Sequence, residues 1–556
     1  MKHGLIKILN GLRKKMEAVA MSENEQVQVK SKHKGWALAA VCFGLFMALL
    51  DVTVVNVAMP QIQSDLHASF SNIEWVISAY TLTFAVVLVS VSRLGDIFGR
   101  KTVFIWGLAV FTIGSLLCGL SSEFKIAGFS HIETLNICRG IQGIGASALM
   151  PLSLAIISAT FTGKQRGMAI GIWGGVSGLA TAIGPLVGGF LVDVLNWQSI
   201  FYVNLPIGIV GILLSIWAIE QSRDEHAERK IDFFGLITFT IFMFCLVYGL
   251  IRVNDADLGW TSPFILTLWG IGAVALIVFI IGELRIKHPM IDPRLFKIPS
   301  FTGAAIAGFC LSCGMYALLF YISLYLQNFL GFDALETGLR MISFSALSFF
   351  FAPLSGMLMS KVGPKWIVVV AMALMAVGVW IMSGISPTDT RSDWLVLLPG
   401  FIIAGIGNGL INPPISNLAV GTVERRRAGM ASGVNNVARQ MGIAFGTALF
   451  GAVLSNRYTT LITDKIYDLN NNHLTDSVKK AISEGVSKAG PIAGSTGLSG
   501  SGSEAFQHNP LYSTIKEIAR TSFIEGTTQV IQIAAIALAI GMVFSILLIR
   551  KKDMKH

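Results

Sequence analysis

Charge is scarce in this sequence: 13% of its 556 residues are charged, against roughly 25% in soluble globular domains. With 53% hydrophobic residues, the chain has too little polar surface to face water on all sides, and a soluble fold is excluded. Cysteine is scarce as well. All six cysteines (Cys42, Cys118, Cys138, Cys245, Cys310 and Cys313) lie in apolar runs, so they form no extracellular disulfide framework and no metal-ligand spacing. No G-x-x-x-x-G-K-[ST] phosphate loop occurs, which argues against an ATP-driven pump. Neither H-E-x-x-H nor G-x-S-x-G occurs, and Gly140-Ile141-Gln142-Gly143 falls mid-helix rather than at a strand–helix turn. No enzyme and no cofactor are expected. Residues 1–35 lack the apolar core of a secretory signal. Leu5, Ile8, Leu9, Leu12 and Met16 are spaced for a helix lying on the membrane surface, and a disordered tail fits the same composition.

What the chain has in abundance is long apolar runs. A bilayer-crossing helix needs roughly 20 mainly apolar residues. Fourteen spans satisfy this: 36–59, 75–95, 102–121, 132–160, 167–192, 198–219, 232–251, 262–282, 301–327, 337–360, 365–384, 394–419, 428–455 and 525–549. The net charge of +10 is distributed as a topology signal rather than as a nucleic-acid patch. Lysine and arginine mark cytoplasmic loops. With the N-terminus inside, every inside segment is basic, including Arg93, Arg100, Lys101, Lys164, Arg166, Lys361, Lys365 and Arg425 to Arg427. The short outside loops offer only Lys125 and Arg391, with Arg252 at an edge. Both termini are therefore expected in the cytoplasm. The segment 456–524, with its Gly/Ser stretch, is expected to be a loosely ordered outside loop.

The chain also matches itself at an offset of 262 residues. Gly143-Ile144-Gly145 returns as Gly405-Ile406-Gly407, Pro151 as Pro413, and Gly167-Met168-Ala169 as Gly429-Met430-Ala431. A second echo pairs the segment from Arg93 to Lys101 with that from Met357 to Lys365. Repeats with the same inside–outside sense imply two parallel half-bundles, with substrate bound between them near the midplane. The expected division is a cytoplasmic segment 1–35, a first bundle 36–220 and an inserted helix pair with linkers 221–300. A second bundle 301–549 and a tail 550–556 complete it.

These residues resemble the major facilitator superfamily over nearly the whole chain. Ser92-Arg93-Leu94-Gly95-Asp96-Ile97-Phe98-Gly99-Arg100-Lys101 is similar to the loop motif between helices two and three, with Ser92 where glycine is usual. Arg139-Gly140-Ile141-Gln142-Gly143-Ile144-Gly145 resembles the fourth-helix motif assigned to proton coupling. Gly171, Ala180, Gly184-Pro185 and Gly188 resemble the antiporter motif of the fifth helix, with Ala180 in place of a glycine. The run from Leu50 to Pro60, and Trp197 to Phe201 with Asn204, Pro206 and Gly208, resemble the fourteen-helix drug:proton antiporters of EmrB/QacA type. The implied fold is an all-α membrane protein of two parallel six-helix bundles with two inserted helices.

Ionisable residues inside a membrane are costly and functional by default. Asp51 lies about 13 Å in from Pro60, and Arg139 about 12 Å in from His131, at 1.5 Å per residue. The two can share a level and form a proton-coupling pair. Arg139 has Phe401 at its repeat position, so its charge is not a general need of the scaffold. Asp96, positioned by Arg100, is a candidate inside lock that docks on a helix N-terminus, and Gly184-Pro185 is a candidate bend. Tyr80, Tyr316, Phe320, Tyr321, Tyr325, Asn412, Asn435, Asn436, Arg439 and Gln440 are the expected lining of an aromatic, sparsely polar cavity.

The expected function is proton-coupled multidrug efflux of lipophilic compounds by alternating access in the cell membrane. Its partners are protons, lipid and small-molecule substrates, with no nucleic acid. Export of one endogenous lipid or metabolite is the alternative, and a non-transporting sensor is a distant third. Because Asp51 is the only carboxylate placed deep in a span, with Glu283, Glu336 and Glu525 near helix ends, lipophilic monocations or neutral compounds are the expected substrates.

Overall fold

The computed structural model describes residues 33–550 and 553, apart from 67, 69, 162, 223–231, 254–257, 287, 288, 290, 424–427, 470–474 and 496–510. The N-terminal segment proposed to lie on the membrane falls outside these residues. Among the described residues the structure is helical and contains no strand. The helices are α1 (Lys34–Asp65), α2 (Phe70–Phe98), α3 (Arg100–Leu120), α4 (His131–Thr160) and α5 (Gly163–Val194). There follow α6 (Ser199–Ala218, broken at Val203), α7 (Phe233–Arg252), α8 (Pro263–Arg285) and α9 (Pro299–Phe329). The last are α10 (Ala334–Val362), α11 (Pro364–Met382), α12 (Leu397–Gly421), α13 (Ala428–Tyr467), α14 (Asp476–Ser495) and α15 (Tyr512–Leu548). Each of the fourteen expected spans falls on one of these helices. Among the described residues twelve helices are long and apolar enough to cross a membrane, and α2 and α5 carry shorter apolar stretches, Trp75–Leu88 and Met168–Ala180.

The helix contacts reproduce the sequence repeat. In the first half α1 packs on α5 and α6, α4 packs on α2 and α3, and α3 packs on α6. In the second half α9 packs on α13 and α15, α12 packs on α10 and α11, and α11 packs on α15. The 262-residue offset carries α1 to α5 onto α9 to α13, and α15, which follows the segment after α13, takes the place of α6. The halves meet through α5 against α10 and through α2 against α13, which are the same pair seen from either side of a pseudo-twofold axis. The inserted α7 and α8 pack on each other, and α7 also touches α2 and α13. Exposed apolar side chains such as Trp106, Leu213, Val274, Phe350 and Trp380 form the outer surface expected of a bundle solvated by lipid.

Two repeat echoes have visible physical causes. Gly99 and Gly363 join α2 to α3 and α10 to α11 with φ of 105° and 83°, a backbone region that costs a residue with a Cβ. Beside each turn a lysine donates to a backbone carbonyl of the last helix of its half: Lys101 Nζ to Ile216 O at 2.7 Å, and Lys365 Nζ to Ile546 O at 2.7 Å. The Gly-Ile-Gly echo lets α4 and α12 approach their neighbours closely. A Cβ at Gly143 would sit 2.5 Å from the Tyr80 carbonyl oxygen, and one at Gly405 would sit 2.4 Å from that of Phe344.

The segment 456–524 differs from expectation. Helix α13 continues to Tyr467, α15 begins at Tyr512, and α14 packs on both. Apolar residues recur there at helical spacing: Tyr458, Leu461, Ile462 and Ile466 on α13, Val486 on α14, and Ile515 and Ala519 on α15 are all buried. Lys465 Nζ pairs with Glu525 Oε1 at 2.8 Å. The Gly/Ser stretch that dominates the composition of this segment lies outside the described residues.

Candidate functional site

Asp51 lies in the middle of α1 and Arg139 in the first half of α4, and the packing of α1 on α4 brings them together. Arg139 Nη1 donates to Asp51 Oδ2 at 2.5 Å, and both side chains are 1% exposed. A buried charge needs both a counter-charge and hydrogen bonds to its remaining lone pairs, and this pair has both. Gln142 Nε2 and Asn204 Nδ2 donate to Asp51 Oδ1 at 2.8 and 3.1 Å. Arg139 Nε donates to the Val76 carbonyl at 3.0 Å and Nη1 to Gln142 Oε1 at 2.6 Å. Ser115 Oγ accepts from Gln142 at 3.1 Å and Asn204 at 2.9 Å, and donates to the Phe201 carbonyl at 3.0 Å. Tyr80 lays its ring 4.5 Å from the guanidinium carbon and donates its hydroxyl to the Ala48 carbonyl at 3.3 Å. A single buried polar node thus ties α1, α2, α3, α4 and α6 together.

Of the expected cavity residues, Tyr80 belongs to this node. Tyr316 stands at the end of a π turn over Ser312–Tyr316, a local widening that recurs at functional sites. Its hydroxyl donates to Asn408 Oδ1 at 3.2 Å, and Asn408 Nδ2 donates to Ser348 Oγ at 2.8 Å. Asn412 Nδ2 reaches the Asn408 carbonyl at 3.0 Å. Arg439 lies with its guanidinium carbon 5.7 Å from the Tyr316 ring centroid. Asn435 and Asn436 are buried on the same helix, Asn436 Nδ2 donating to the Ser432 carbonyl at 3.0 Å. Gln440 is half-buried beside them.

The rest of the aromatic stripe goes elsewhere. Tyr321 donates to the Thr447 carbonyl at 2.9 Å and packs edge-on to Phe450, fastening α9 to α13. Tyr325 donates to Asp389 Oδ2 at 2.7 Å in the connection after α11. Phe320 is exposed and sits edge-on to Tyr321. The helical period separates these residues: positions 316 and 320 lie on one face, and 321 and 325 on the next.

Arg100 is buried at the start of α3, its backbone N–H donating to the Ser222 carbonyl at 2.9 Å. The Asp96 side chain lies outside the described residues, as does that of Pro185. A Cβ at Gly184 would fall 1.8 Å from Thr53 Oγ1, so that glycine sets how closely α5 approaches α1 beside Asp51. Ser115, Asn408 and Ser348 are residues that sequence reasoning missed. The available signal was a hydroxyl or amide inside an apolar run; Gln142 carries the further signal of standing three residues from Arg139, on the same helix face. Among the described residues no three His, Cys, Asp or Glu side chains gather to hold a metal ion.

The Major Facilitator Superfamily profile matches residues 41–447. The chain belongs to the major facilitator superfamily. It is 36% identical to the multidrug resistance protein Stp of Mycobacterium tuberculosis over 420 residues, covering 75% of each chain. It is 30% identical to the tetracenomycin C resistance and export protein of Streptomyces glaucescens over 489 residues, covering 88% of this chain and 87% of that one. Among solved structures, the proton:xylose symporter XylE superposes with a TM-score of 0.56 at 13% identity, over 77% of this chain and 90% of that one. That superposition bears on the fold alone. This superfamily member is a multi-pass membrane transporter, with relatives named for drug and antibiotic resistance.

Proposed function

We propose that this transporter is a proton-coupled efflux antiporter that exports lipophilic compounds by alternating access, with both termini in the cytoplasm. The observation that carries the reading is the buried node around Asp51. Its carboxylate is in direct contact with a buried guanidinium, and the node draws on four helices: α1 holds the acid, and α4 and α6 supply the donors that α3 braces. While Asp51 is ionised, its charge cancels that of Arg139. A proton on Asp51 removes that attraction and leaves Arg139 to the Val76 carbonyl and Gln142 Oε1. The hold of α4 on α1 then weakens while the hold of α4 on α2 persists. Helix α2 packs on α13 of the other half, and α1 packs on α5, which meets α10, so proton occupancy can bias one arrangement over the other.

Alternating access would break and remake the contacts of α5 with α10 and of α2 with α13. Gly171 and Gly175 abut Pro353 and Phe349, near the helix ends that carry the basic loops. Arg100 and Asp96 at the α2–α3 turn are the proposed lock on that side. The names of the relatives support multidrug export, and the half-buried Tyr316 with the buried amides on α12 and α13 supports weakly specified ligands. The test is transport in reconstituted vesicles under an imposed pH gradient. Substrate accumulation should follow the gradient and collapse with a protonophore, and accumulation driven by ATP without an ion gradient would refute the antiporter.

A further inference from the structure

The two halves differ in how they treat a cation inside the bundle. Buried Arg139 is matched by Asp51, but half-buried Arg439 has no acid paired with it among the described residues. It stands about 16 Å along α13 from Ala428 at 1.5 Å per residue, near the middle of a hydrocarbon core about 30 Å thick. Helices α7, α9 and α12, which pack on α13, contain no Asp or Glu. The acids of the other neighbours lie elsewhere: Glu74 and Asp96 near the ends of α2, Glu133 in the first turn of α4, Glu517 and Glu525 in the first half of α15, and Asp476 and Glu484 on α14, which is tied to α13 at Thr463 and Tyr467. Glu525 is taken by Lys465, far along α13. At the repeat position of Arg439 the first half has Ser177, so the scaffold itself does not require this charge.

Buried acceptors beside Arg439 also lack partners among the described residues. Asn435 Oδ1 and Arg439 Cγ both face Gly308, where a Cβ would meet them at 3.4 and 3.1 Å. Asn435 Oδ1, Asn412 Oδ1 and Ser432 Oγ have no hydrogen-bond partner, in side chains that are 2%, 5% and 0% exposed. Residues 432, 435 and 439 share one helix face. Leaving three buried acceptors unpaired beside a half-buried guanidinium in a membrane is costly, and a ligand that brings an anion and hydrogen-bond donors removes that cost.

We propose that Arg439, Tyr316, Asn412 and Asn435 form a binding site for the head of an amphiphilic organic anion, a carboxylate above all. The planar fork of Arg439 matches a carboxylate, the Tyr316 ring flanks it, and the open amide oxygens take hydroxyl or amide donors of the substrate. This proposal rests on the transporter reading and names its substrate class. It also reverses the charge expected from sequence. Asp51 is engaged on both oxygens and is 1% exposed, so it is not open to a cationic substrate, whereas the unmatched charge in the second half is positive.

The test uses the purified full-length protein in lipid nanodiscs and two probes of one skeleton, 11-(dansylamino)undecanoate and its methyl ester, with binding read from dansyl fluorescence. The carboxylate should bind saturably and about tenfold more tightly than the ester. Arg439→Gln should remove that preference while leaving ester affinity within about twofold, and Arg439→Lys should retain part of it. Unchanged ester binding shows that the site in the variant is still folded. Absence of saturable carboxylate binding, equal affinity for the two probes, or equal loss of both in the Gln variant overturns the proposal. Proton-driven transport is measured separately in vesicles. Charge-selective binding without such transport refutes the antiporter alone, and transport without charge selectivity refutes this site alone.

Discussion

Replacing Asp51 with asparagine separates two roles of the buried pair. The substitution is nearly isosteric, but it leaves Arg139 without a counter-charge in a site where both partners are 1% exposed. Breaking a buried pair by removing one partner costs about 3–5 kcal/mol. With its oxygen kept toward Arg139, the amide nitrogen must also face both Gln142 Nε2 and Asn204 Nδ2, which are donors, and this forfeits two hydrogen bonds of about 1 kcal/mol each. The Val76 carbonyl and Gln142 Oε1 still hold the guanidinium, so the expected total stays near the upper end of about 3–5 kcal/mol. The double variant Asp51→Asn/Arg139→Gln removes both charges and should regain most of that loss. Thermal unfolding in detergent, followed by tryptophan fluorescence, should therefore show a large drop for the single variant and recovery for the double. Accumulation of substrate under a pH gradient should be absent in both, because neither side chain can release a proton, while downhill exchange by the double variant should persist. A double variant that still concentrates substrate at the rate of the unmodified protein would refute Asp51 as the proton carrier. A single variant as stable as the unmodified protein would refute the compensated-pair argument.

Two further perturbations probe the turns between helices. Gly363→Ala should lower stability by about 1–2 kcal/mol from its left-handed backbone alone, since nothing lies within 4 Å of a Cβ there. Gly99→Ala should cost more, because the same Cβ would also meet the Gln221 amide at 2.1 Å; equal losses in a thermal-melt comparison would contradict this packing. Asp96→Ala should reduce turnover more than apparent substrate affinity, and a change confined to affinity in vesicle transport would argue against a lock at the α2–α3 turn.

The architecture was legible because membrane insertion imposes a coarse and strong code. Long apolar runs, basic loops and the 262-residue echo each constrain the same helices, and the contacts between helices follow the echo pair by pair. Asp51 and Arg139 were legible for the same reason, since a charge in an apolar run has few explanations. Ser115 was not, because a serine in a membrane helix more often satisfies its own backbone, as Ser545 does with the Gly541 carbonyl. The division of the four aromatic residues of the α9 stripe was also hidden. Their spacing places two on each of two faces, but only the packing of α13 and of the connection near Asp389 decides which hydroxyls become ties between elements. The helices of segment 456–524 were obscured by the Gly/Ser stretch, which weighs on composition without interrupting the apolar spacing at Tyr458, Ile462 and Ile466.

The repeat also shows where coupling between the halves has to act. Three backbone-level devices are duplicated: the positive-φ glycine turns, the lysine ties to the last helix of each half, and the Gly-Ile-Gly approaches. The polar chemistry is not duplicated, for Arg139 faces Phe401 across the repeat and Arg439 faces Ser177. A symmetric scaffold can rock between two related arrangements, but symmetry alone has no means of linking a proton to a substrate. In the proposed cycle that link needs an element that both sites bias. Helix α2 fits this requirement. It receives Arg139 Nε at the Val76 carbonyl and donates Thr83 Oγ1 to the Gly140 carbonyl at 2.8 Å, and it packs on α13, the helix that carries Arg439. Protonation of Asp51 changes how firmly α4 holds α1 relative to α2. An anion on Arg439 would change the charge borne by α13, which also packs on α2. The α2–α13 contact is thus where both events register, and its repeat image, α5 against α10, contains neither charge.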